Sequence, residues 1–161
     1  ASHYSIDYVG LDENQYLLDR AAATLPRARL IRHNLTKPWL IKDKFDLIVL
    51  MAVLHHIPTK AARLKILLRA QKLLTKNGLL VFTVWHFNQL KRFQNQIIKK
   101  LPDNDYVLGW NQGVISKRYV HLFTNAEIAW LIKNLSLKLI ADYVSDGQLG
   151  QSNRYLILRK P

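Results

Sequence analysis

Cysteine is absent from this chain of 161 residues, and so are the apolar runs that mark membrane and secreted proteins. Without cysteine there are no disulfides, no thiolate nucleophile and no Cys-ligated zinc site. No stretch reaches the roughly 18 apolar residues of a membrane helix, and no basic region followed by a short apolar stretch opens the sequence. These absences predict a cytoplasmic protein with neither a membrane span nor a signal peptide.

Acidic side chains are scarce relative to basic ones. The chain has 24 Lys and Arg residues and 11 Asp and Glu residues, which gives a formal net charge of +13. This balance predicts a polyanionic partner. Part of the charge has a plain explanation, because Lys65, Arg69, Lys72 and Lys76 form the solvent face of a predicted helix. Lys117-Arg118 is different, since it follows predicted strands, where a substrate would bind.

The clearest pattern is a strand, a helix and a strand from Phe45 to Trp85. The run FDLIVLM is apolar apart from one aspartate, which is typical of a strand buried on both faces. Thr59 is expected to cap the helix that follows, and Asn77-Gly78 to stop it. A second buried strand, LLVFTVW, comes next. Ligands bind beyond the carboxyl ends of such parallel strands, here Met51 to His56 and Trp85 to Phe87.

Shorter patterns on either side complete an α/β domain. Ile6 to Leu11 and Arg29 to His33 are strand-like, and the helical segment Glu13 to Thr24 lies between them. The last two strands, Leu137 to Val144 and Arg154 to Arg159, are joined by a short link that contains glycine. This arrangement predicts an antiparallel hairpin at one edge of a mostly parallel sheet. A single domain over residues 1–161 is expected.

Residues 88–118 interrupt this alternation. The string FQNQIIKKL predicts a helix, and a loop that contains glycine and asparagine follows it. The segment is interpreted as an insertion over the strand ends, on the substrate side. Regular structure resumes at Thr124, which together with Glu127 three residues later predicts a capping box for the last helix.

Asp12 ends the first strand, in YVGLDEN. In nucleotide-binding α/β sheets a carboxylate at this point accepts hydrogen bonds from both ribose hydroxyls. An aspartate that only caps the following helix is the alternative. The residue taken alone favours neither interpretation.

Taken in order, YVGLDEN, RHNL, FDLIVLMAVLHHIP and LLTKNGLLVFTVW resemble the class I S-adenosylmethionine-dependent methyltransferases. The resemblance implies a Rossmann-like sheet and S-adenosyl-L-methionine as cofactor. It also implies that Asp12 holds the ribose, that Asn34 and Leu35 bracket the adenine, and that Met51 with Ala52 lines the methionine end. Many relatives have aspartate where Asn34 stands, but an amide can meet the adenine amino group through its carbonyl oxygen.

The string VLHHIP places His55 and His56 after the buried strand. It is widespread in this superfamily and identifies no substrate. For both histidines, packing and loop anchoring are favoured over proton transfer. No metal site is expected, because no further ligands stand at a suitable spacing.

Three later strings are more specific: TVWHFNQ, RYVHLFTNAEIAWLI and GQSNRYLILRKP. Together they resemble the tRNA methyltransferases that esterify 5-carboxymethyluridine at the wobble position, over nearly the whole chain. The resemblance implies tRNA as a partner, and some members of that family require a small activating subunit. Asn153 belongs to the Asn-aromatic element of these enzymes and is expected to contact substrate.

The chemistry of that reaction assigns roles to the neighbouring residues. Arg118 is expected to grip the substrate carboxylate, and His121 to orient its other oxygen or contact a phosphate. Anchoring of the insertion to the sheet is the alternative for both. Trp85 and Tyr119 are expected to stack on a base of the anticodon, with core packing as the alternative for Trp85.

Class I methyltransferases open with a strand that ends in a Gly-rich turn, something like D-x-G-x-G, and this turn is not in the sequence. The chain passes from ASHYS directly into what resembles the second strand, and its six glycines form no such cluster. The missing strand normally lies between those matching Ile6 to Leu11 and Phe45 to Met51, so its loss would leave two strand edges unpaired. An N-terminally incomplete chain is expected, or one in which these strands pair directly or another chain supplies the central strand.

Three functions are therefore compatible with the sequence. The first is a tRNA methyltransferase, the second a small-molecule methyltransferase, and the third a non-catalytic remnant of the fold that binds RNA. Charge favours the first and third, because a small-molecule enzyme has no need of +13. The lost Gly-rich turn favours the third.

Overall fold

The structure is a computed structural model that describes residues 6–86, 91–112, 114–147 and 150–161. It divides into two compact units, Ala1–Ile41 and Lys42–Pro161.

The first unit contains a strand, a helix and a strand, as predicted. Strand β1 (Val9–Asp12) leads into helix α1 (Gln15–Thr24), and strand β2 (Arg29–Arg32) follows. The two strands pair in parallel, with Asp12 opposite Arg32. Leu18 of α1 is buried. The side chains that follow both strands therefore come together at one edge.

The described residues of the second unit form eleven elements. In chain order they are β3 (Phe45–Leu50), the 3₁₀ turn η1 (Leu54–His56), α2 (Lys60–Leu73), β4 (Leu74–Trp85), α3 (Lys91–Gln94), β5 (Ile97–Lys100), β6 (Asp105–Gln112), β7 (Val114–His121), α4 (Asn125–Lys133), β8 (Lys138–Ser145) and β9 (Asn153–Arg159).

A four-stranded sheet, in the order β3-β4-β9-β8, forms the centre of this unit. Strands β3 and β4 are parallel, whereas β9 runs antiparallel to both of its neighbours. The predicted parallel pair and the predicted C-terminal hairpin are both confirmed. Alternate residues of β4 and β9 share the core with one face of α2 and of α4. These buried side chains are Leu80, Phe82, Val84, Leu156 and Leu158 on the strands and Ile66, Leu67, Ala70, Ile128 and Leu131 on the helices.

Strand β3 is less buried than its apolar sequence predicts. Leu47 is 52% exposed and Val49 46% exposed, while Leu50 is buried. Of the described strands, β4 is the one that pairs with β3, which makes β3 an edge strand. The expectation that this strand is buried on both faces is wrong, because the core of the unit lies on one side of the sheet.

Helix α2 begins where predicted and ends earlier. The Thr59 hydroxyl oxygen caps it by accepting a hydrogen bond from the Ala62 backbone N–H at 3.2 Å. The helix ends at Leu73 instead of Asn77-Gly78, because Leu74 already pairs with the start of β3. Asn77 still has the left-handed φ of 63° expected of a helix stop, but it bends the first part of β4.

Strands β5, β6 and β7 form an antiparallel sheet where a helix and a loop were predicted. Helix α3 has four residues, and the IIKK part of FQNQIIKKL is strand β5. Asp103 and Asn104 have φ values of 58° and 60°, which is the geometry of a type I′ turn between two hairpin strands. The turn chemistry therefore decides the local structure over the helical spacing of the apolar residues. Among the helices that the structure describes, none has both the length and the apolar character needed to cross a membrane.

Candidate functional site

The turn after β3 is tied to the neighbouring strand. The backbone N–H of Ala52 donates a hydrogen bond to Thr83 Oγ1 of β4 at 2.8 Å. Ala52 has a φ of 54°, which is uncommon for a residue with a side chain, so the bond holds a strained turn in place. Met51 beside it is 44% exposed. Met51 and Ala52 thus form a fixed, accessible turn at the carboxyl end of the strand.

Two neutral histidines lie between this turn and β7. His55 is buried, and burial lowers its pKa to about 3, with His56 and Arg118 lowering it further. Burial also lowers the pKa of His56, although a hydrogen bond from its Nδ1 to the Tyr119 carbonyl oxygen at 3.0 Å opposes the shift. Since both rings are uncharged near neutral pH, the predicted role in packing and loop anchoring agrees with the geometry.

Arg118 lies on the face of the inserted sheet that meets these histidines and Trp85. It stands opposite Leu108 in the β6–β7 ladder, and Leu108 belongs to an apolar cluster with Phe93 against which Trp85 packs. The Trp85 ring centroid is 5.4 Å from that of His55 and 4.3 Å from that of Phe93. Burial lowers the pKa of the half-buried Arg118 guanidinium, which nevertheless remains charged at neutral pH.

A half-buried guanidinium beside neutral rings is suited to an anion. Its N–H groups can donate charge-assisted hydrogen bonds to a carboxylate oxygen, and partial removal of water strengthens the attraction. The candidate site therefore offers a cation where ligands bind in sheets of this kind. In the described part of the chain no group of acidic and histidine side chains could hold a metal ion.

Tyr119 and His121 instead enter a buried charge network. The Tyr119 hydroxyl donates to Asp105 Oδ1 at 2.7 Å, and burial together with this bond raises the Tyr119 pKa to about 12. His121 is 1% exposed; its Nδ1 lies 2.6 Å from Asp105 Oδ1 and its Nε2 lies 2.7 Å from Glu127 Oε2. Both ring nitrogens of His121 therefore face carboxylate oxygens, which accept hydrogen bonds.

Arg63 completes this network from helix α2. It is 3% exposed, its Nε and Nη2 lie 3.0 and 2.9 Å from Glu127 Oε1, and its Nη1 donates to the Ile57 carbonyl oxygen at 2.9 Å. Burial alone would raise the Glu127 pKa, but the bond from His121 and the charge of Arg63 hold it below its usual value. Four elements, α2, β6, β7 and α4, are joined in this way.

This network was not predicted from the sequence, although the sequence contains two signals for it. Arg63 falls on the same face of α2 as Ile66 and Leu67, which is an unusual place for a charge unless it is paired. Glu127 was expected to complete a capping box. The Thr124 hydroxyl oxygen does accept the Glu127 backbone N–H at 3.1 Å, but the carboxylate turns to the network. The substrate contact expected of His121 stays a prediction, with both ring nitrogens already engaged.

Asn153 lies opposite Trp85 at the start of β9. Its Nδ2 donates to Asp146 Oδ2 at 2.8 Å, and the Tyr155 hydroxyl donates to the same carboxylate. The expected Asn-aromatic element is therefore fastened to the turn between β8 and β9. A groove of about 660 Å³ opens nearby, between His86, the segment before α4 and the ends of β8 and β9.

In the first unit, Asp12 closes a turn immediately before α1. Its Oδ1 accepts a hydrogen bond from the backbone N–H of Asn14, the residue that precedes the helix, at 2.8 Å. The other carboxylate oxygen has no hydrogen-bond partner among the described residues. This turn contact and ribose binding are therefore compatible at this position, since they would use different oxygens.

Asn34 is more fully engaged. Its Oδ1 accepts from the Thr36 backbone N–H and hydroxyl at 2.9 and 2.6 Å, and its Nδ2 donates to Glu13 Oε2 at 2.7 Å. The amide oxygen through which an adenine contact was expected has both lone pairs in use. Leu35 follows, with its carbonyl oxygen accepting from Trp39 Nε1 at 3.0 Å. An open groove of about 540 Å³ is lined by Glu13, Arg32, His33 and Asn34.

Comparison with known proteins identifies the class. Residues 2–142 match the family model of the methyltransferase domain, so the chain belongs to the methyltransferase domain family. A protein of Encephalitozoon cuniculi whose name assigns it to the methyltransferases is 27% identical over 115 residues, which are 71% of this chain and 54% of that protein. The chain thus spans about half the length of this curated relative.

Solved structures confirm the Rossmann-like methyltransferase fold. An S-adenosylmethionine-dependent methyltransferase from Methanosarcina mazei superposes with a TM-score of 0.75 at 17% identity, over 94% of this chain and 81% of that one. An amino pentose methyltransferase from Micromonospora echinaspora, with bound S-adenosylmethionine, has a TM-score of 0.67 at 15% identity. The superposition covers 96% of this chain and 74% of that one. The cofactor expected from the sequence agrees with that bound ligand. The names of these relatives do not mention tRNA, so the finer resemblance rests on the motifs.

Proposed function

We propose that this chain is an S-adenosylmethionine-dependent methyltransferase domain that acts on tRNA and forms the methyl ester of a carboxymethyl group on the wobble uridine. The observation that carries the proposal is the half-buried Arg118 among Trp85 and the neutral rings of His55 and His56. The motif around Arg118 and the net charge of +13 favour an RNA that carries a carboxylate.

The residues present fit the cofactor in part. Asp12 has a carboxylate oxygen available for ribose hydroxyls, and Met51 with Ala52 forms an accessible turn for the methionine end. Leu35 is assigned to one side of the adenine. Asn34 would have to release Thr36 before its oxygen could accept from the adenine amino group. When bound, S-adenosylmethionine supplies an electrophilic methyl group on a sulfonium.

The residues of the candidate site have to position the substrate carboxylate for attack on that methyl group. A carboxylate, with a pKa of about 4, is ionised and nucleophilic at neutral pH, so no general base is needed. This agrees with the neutral His55 and His56. Arg118 holds one carboxylate oxygen and leaves the other to attack, because neutralising both would weaken the nucleophile. Trp85 and Tyr119 are assigned to stacking with a base of the anticodon loop, and Asn153 to the same loop.

A small-molecule methyltransferase is the second candidate. The amino pentose methyltransferase of similar fold is the observation that favours it. The test is methyl transfer from labelled S-adenosylmethionine to an anticodon stem-loop that carries carboxymethyluridine, beside the free carboxymethyluridine nucleoside. We expect methylation of the stem-loop at a kcat/KM at least tenfold above that of the nucleoside. Equal rates on both would favour the small-molecule enzyme, and no methylation of either would favour the non-catalytic remnant.

Replacing Asp12 with alanine is expected to weaken binding of S-adenosylhomocysteine by about 10- to 100-fold, since hydrogen bonds to a charged group contribute about 1.5–3 kcal/mol. The measurement is calorimetric titration of the wild-type and variant chains. Asp19→Ala is the matched control, because Asp19 is an exposed residue of α1 that accepts a hydrogen bond from Gln15. If both variants bind like the wild type, Asp12 only stabilises the turn before α1.

A further inference from the structure

The end of the second unit's sheet that lies opposite the candidate site is strongly basic. At this end β3, β4 and β8 begin and α2 and β9 finish. The ladders bring these ends together, because Phe45 pairs with Leu74, and Arg159 pairs with both Leu79 and Lys138. The cationic residues of this surface, here called the basic edge, are Lys42, Lys44, Lys72, Lys76, Lys138, Arg159 and Lys160.

Two of these cations have a structural role. Lys44 Nζ donates to the Lys72 carbonyl oxygen and Lys160 Nζ to the Leu74 carbonyl oxygen, both at 2.7 Å. These carbonyls lie at the end of α2, where positive charge is favourable. The fold therefore explains Lys44 and Lys160. Lys72 lies on the solvent face of α2, whereas Lys76 lies in β4 instead of the predicted helix and, like Lys138 and Arg159, needs another account.

The remaining cations are exposed and unpaired within the part of the chain that the structure describes. The side chains of Lys72, Lys76, Lys138 and Arg159 form no hydrogen bond or ion pair there. Asp43 and Asp46 are the carboxylates of this end, and Asp46 already accepts a hydrogen bond from the Thr75 hydroxyl at 2.7 Å. Cations that come together from several elements repel one another. Binding of an anion to this surface would relieve that repulsion and is therefore favourable.

The position of the basic edge excludes a contact with a small substrate. From Leu79, the partner of Arg159, to Trp85 the strand β4 rises six residues, or about 20 Å at roughly 3.3 Å per residue. A nucleoside or a sugar at the candidate site cannot span that distance. A chain of phosphates can, and Lys65 on the exposed side of α2 lies between the two ends.

We propose that the basic edge docks the phosphate backbone of an RNA substrate at a part of the molecule remote from the methylated nucleotide. The proposal rests on the proposed function for the RNA that reaches the candidate site. It assigns Lys72, Lys76, Lys138 and Arg159 to phosphate contacts, which position the RNA without reading its sequence.

The test compares two triple variants. K76Q/K138Q/R159Q removes three cations of the basic edge, and K99Q/K117Q/K133Q removes three exposed cations of the second unit that do not belong to the basic edge. Binding to a full-length tRNA and to its anticodon stem-loop is followed by fluorescence anisotropy over a series of salt concentrations. We expect the edge variant to bind tRNA about tenfold or more weakly than the wild type. We also expect its slope of log K against log salt to be shallower by about one unit for each phosphate that is no longer neutralised.

A shorter substrate separates this proposal from the proposed function. The edge variant is expected to methylate a trinucleotide centred on carboxymethyluridine as the wild type does, because three nucleotides do not span the distance of about 20 Å between the candidate site and the basic edge. Unchanged tRNA affinity and salt slope in the edge variant would overturn the docking proposal while leaving methylation intact. Loss of binding to phosphatidylserine vesicles with no change in tRNA binding would also overturn it, in favour of a membrane surface. If the wild type binds tRNA through the basic edge but does not methylate the stem-loop, the proposed function is overturned and the docking proposal stands.

Discussion

Replacing Arg118 with alanine is expected to reduce kcat/KM for methyl transfer by at least about 100-fold, while binding of S-adenosylhomocysteine stays unchanged. The guanidinium is assigned to the substrate carboxylate, and removing a charge-assisted hydrogen bond of about 3 kcal/mol corresponds to a factor of this size. The loss of kcat/KM would reflect poorer orientation and binding of the substrate, because the substrate carboxylate is already ionised at neutral pH. Single-turnover methylation of the stem-loop and calorimetric titration with S-adenosylhomocysteine are the measurements.

Two further variants make this result specific. Lys117→Ala removes the preceding cation, which is exposed and points to the other face of β7, and it should leave the rate nearly unchanged. Arg118→Lys keeps the charge but not the fork, so an intermediate rate is expected. Full activity of Arg118→Ala would refute the assignment. A fall in its melting temperature that accounts for the lost activity would instead indicate that Arg118 anchors the insertion.

The sequence predicts those parts of the fold that depend on local chemistry. The cap at Thr59 and the buried strand before Trp85 are encoded within a few residues, and both are confirmed. The segment Ile97–Lys100 fails as a helix because the left-handed pair Asp103-Asn104 turns the chain back on itself. The burial of β3 also fails, since a strand's own residues do not determine which elements cover it.

The sequence predicts less of the candidate site. Arg118 lies near His55 and His56, which follow β3, but it does so as a residue of β7, in a segment predicted to be a loop. The surroundings of His121 are not predictable from local chemistry either. They come from Asp105, Glu127 and Arg63, which lie on three other elements, and no spacing rule relates an arginine on α2 to a glutamate 64 residues later. A charged residue on an apolar helix face is the available signal.

Arg63→Ala is expected to lower the free energy of unfolding by about 3–5 kcal/mol, a large share of the roughly 5–15 kcal/mol typical of a domain. The variant leaves the buried Glu127 carboxylate without its guanidinium partner and frees the Ile57 carbonyl oxygen. Urea unfolding at pH 7, followed by circular dichroism, measures the change. Arg27→Ala removes an exposed arginine as the control and should change the free energy by less than about 0.5 kcal/mol.

Glu127→Gln tests whether charge is the source of that stability. The folded-state pKa of Glu127 lies below its usual value, so the carboxylate contributes stability above the unfolded-state pKa, and this contribution is lost as the pH falls through the folded-state pKa. The free energies of unfolding of wild type and variant should therefore differ most at neutral pH and converge in acid. Because the glutamine keeps the shape and one acceptor oxygen, a difference that persists undiminished at low pH would assign the effect to packing. Convergence would show that the charge of the Glu127 carboxylate, which His121 and the Arg63 guanidinium share, fastens the inserted sheet to the helices.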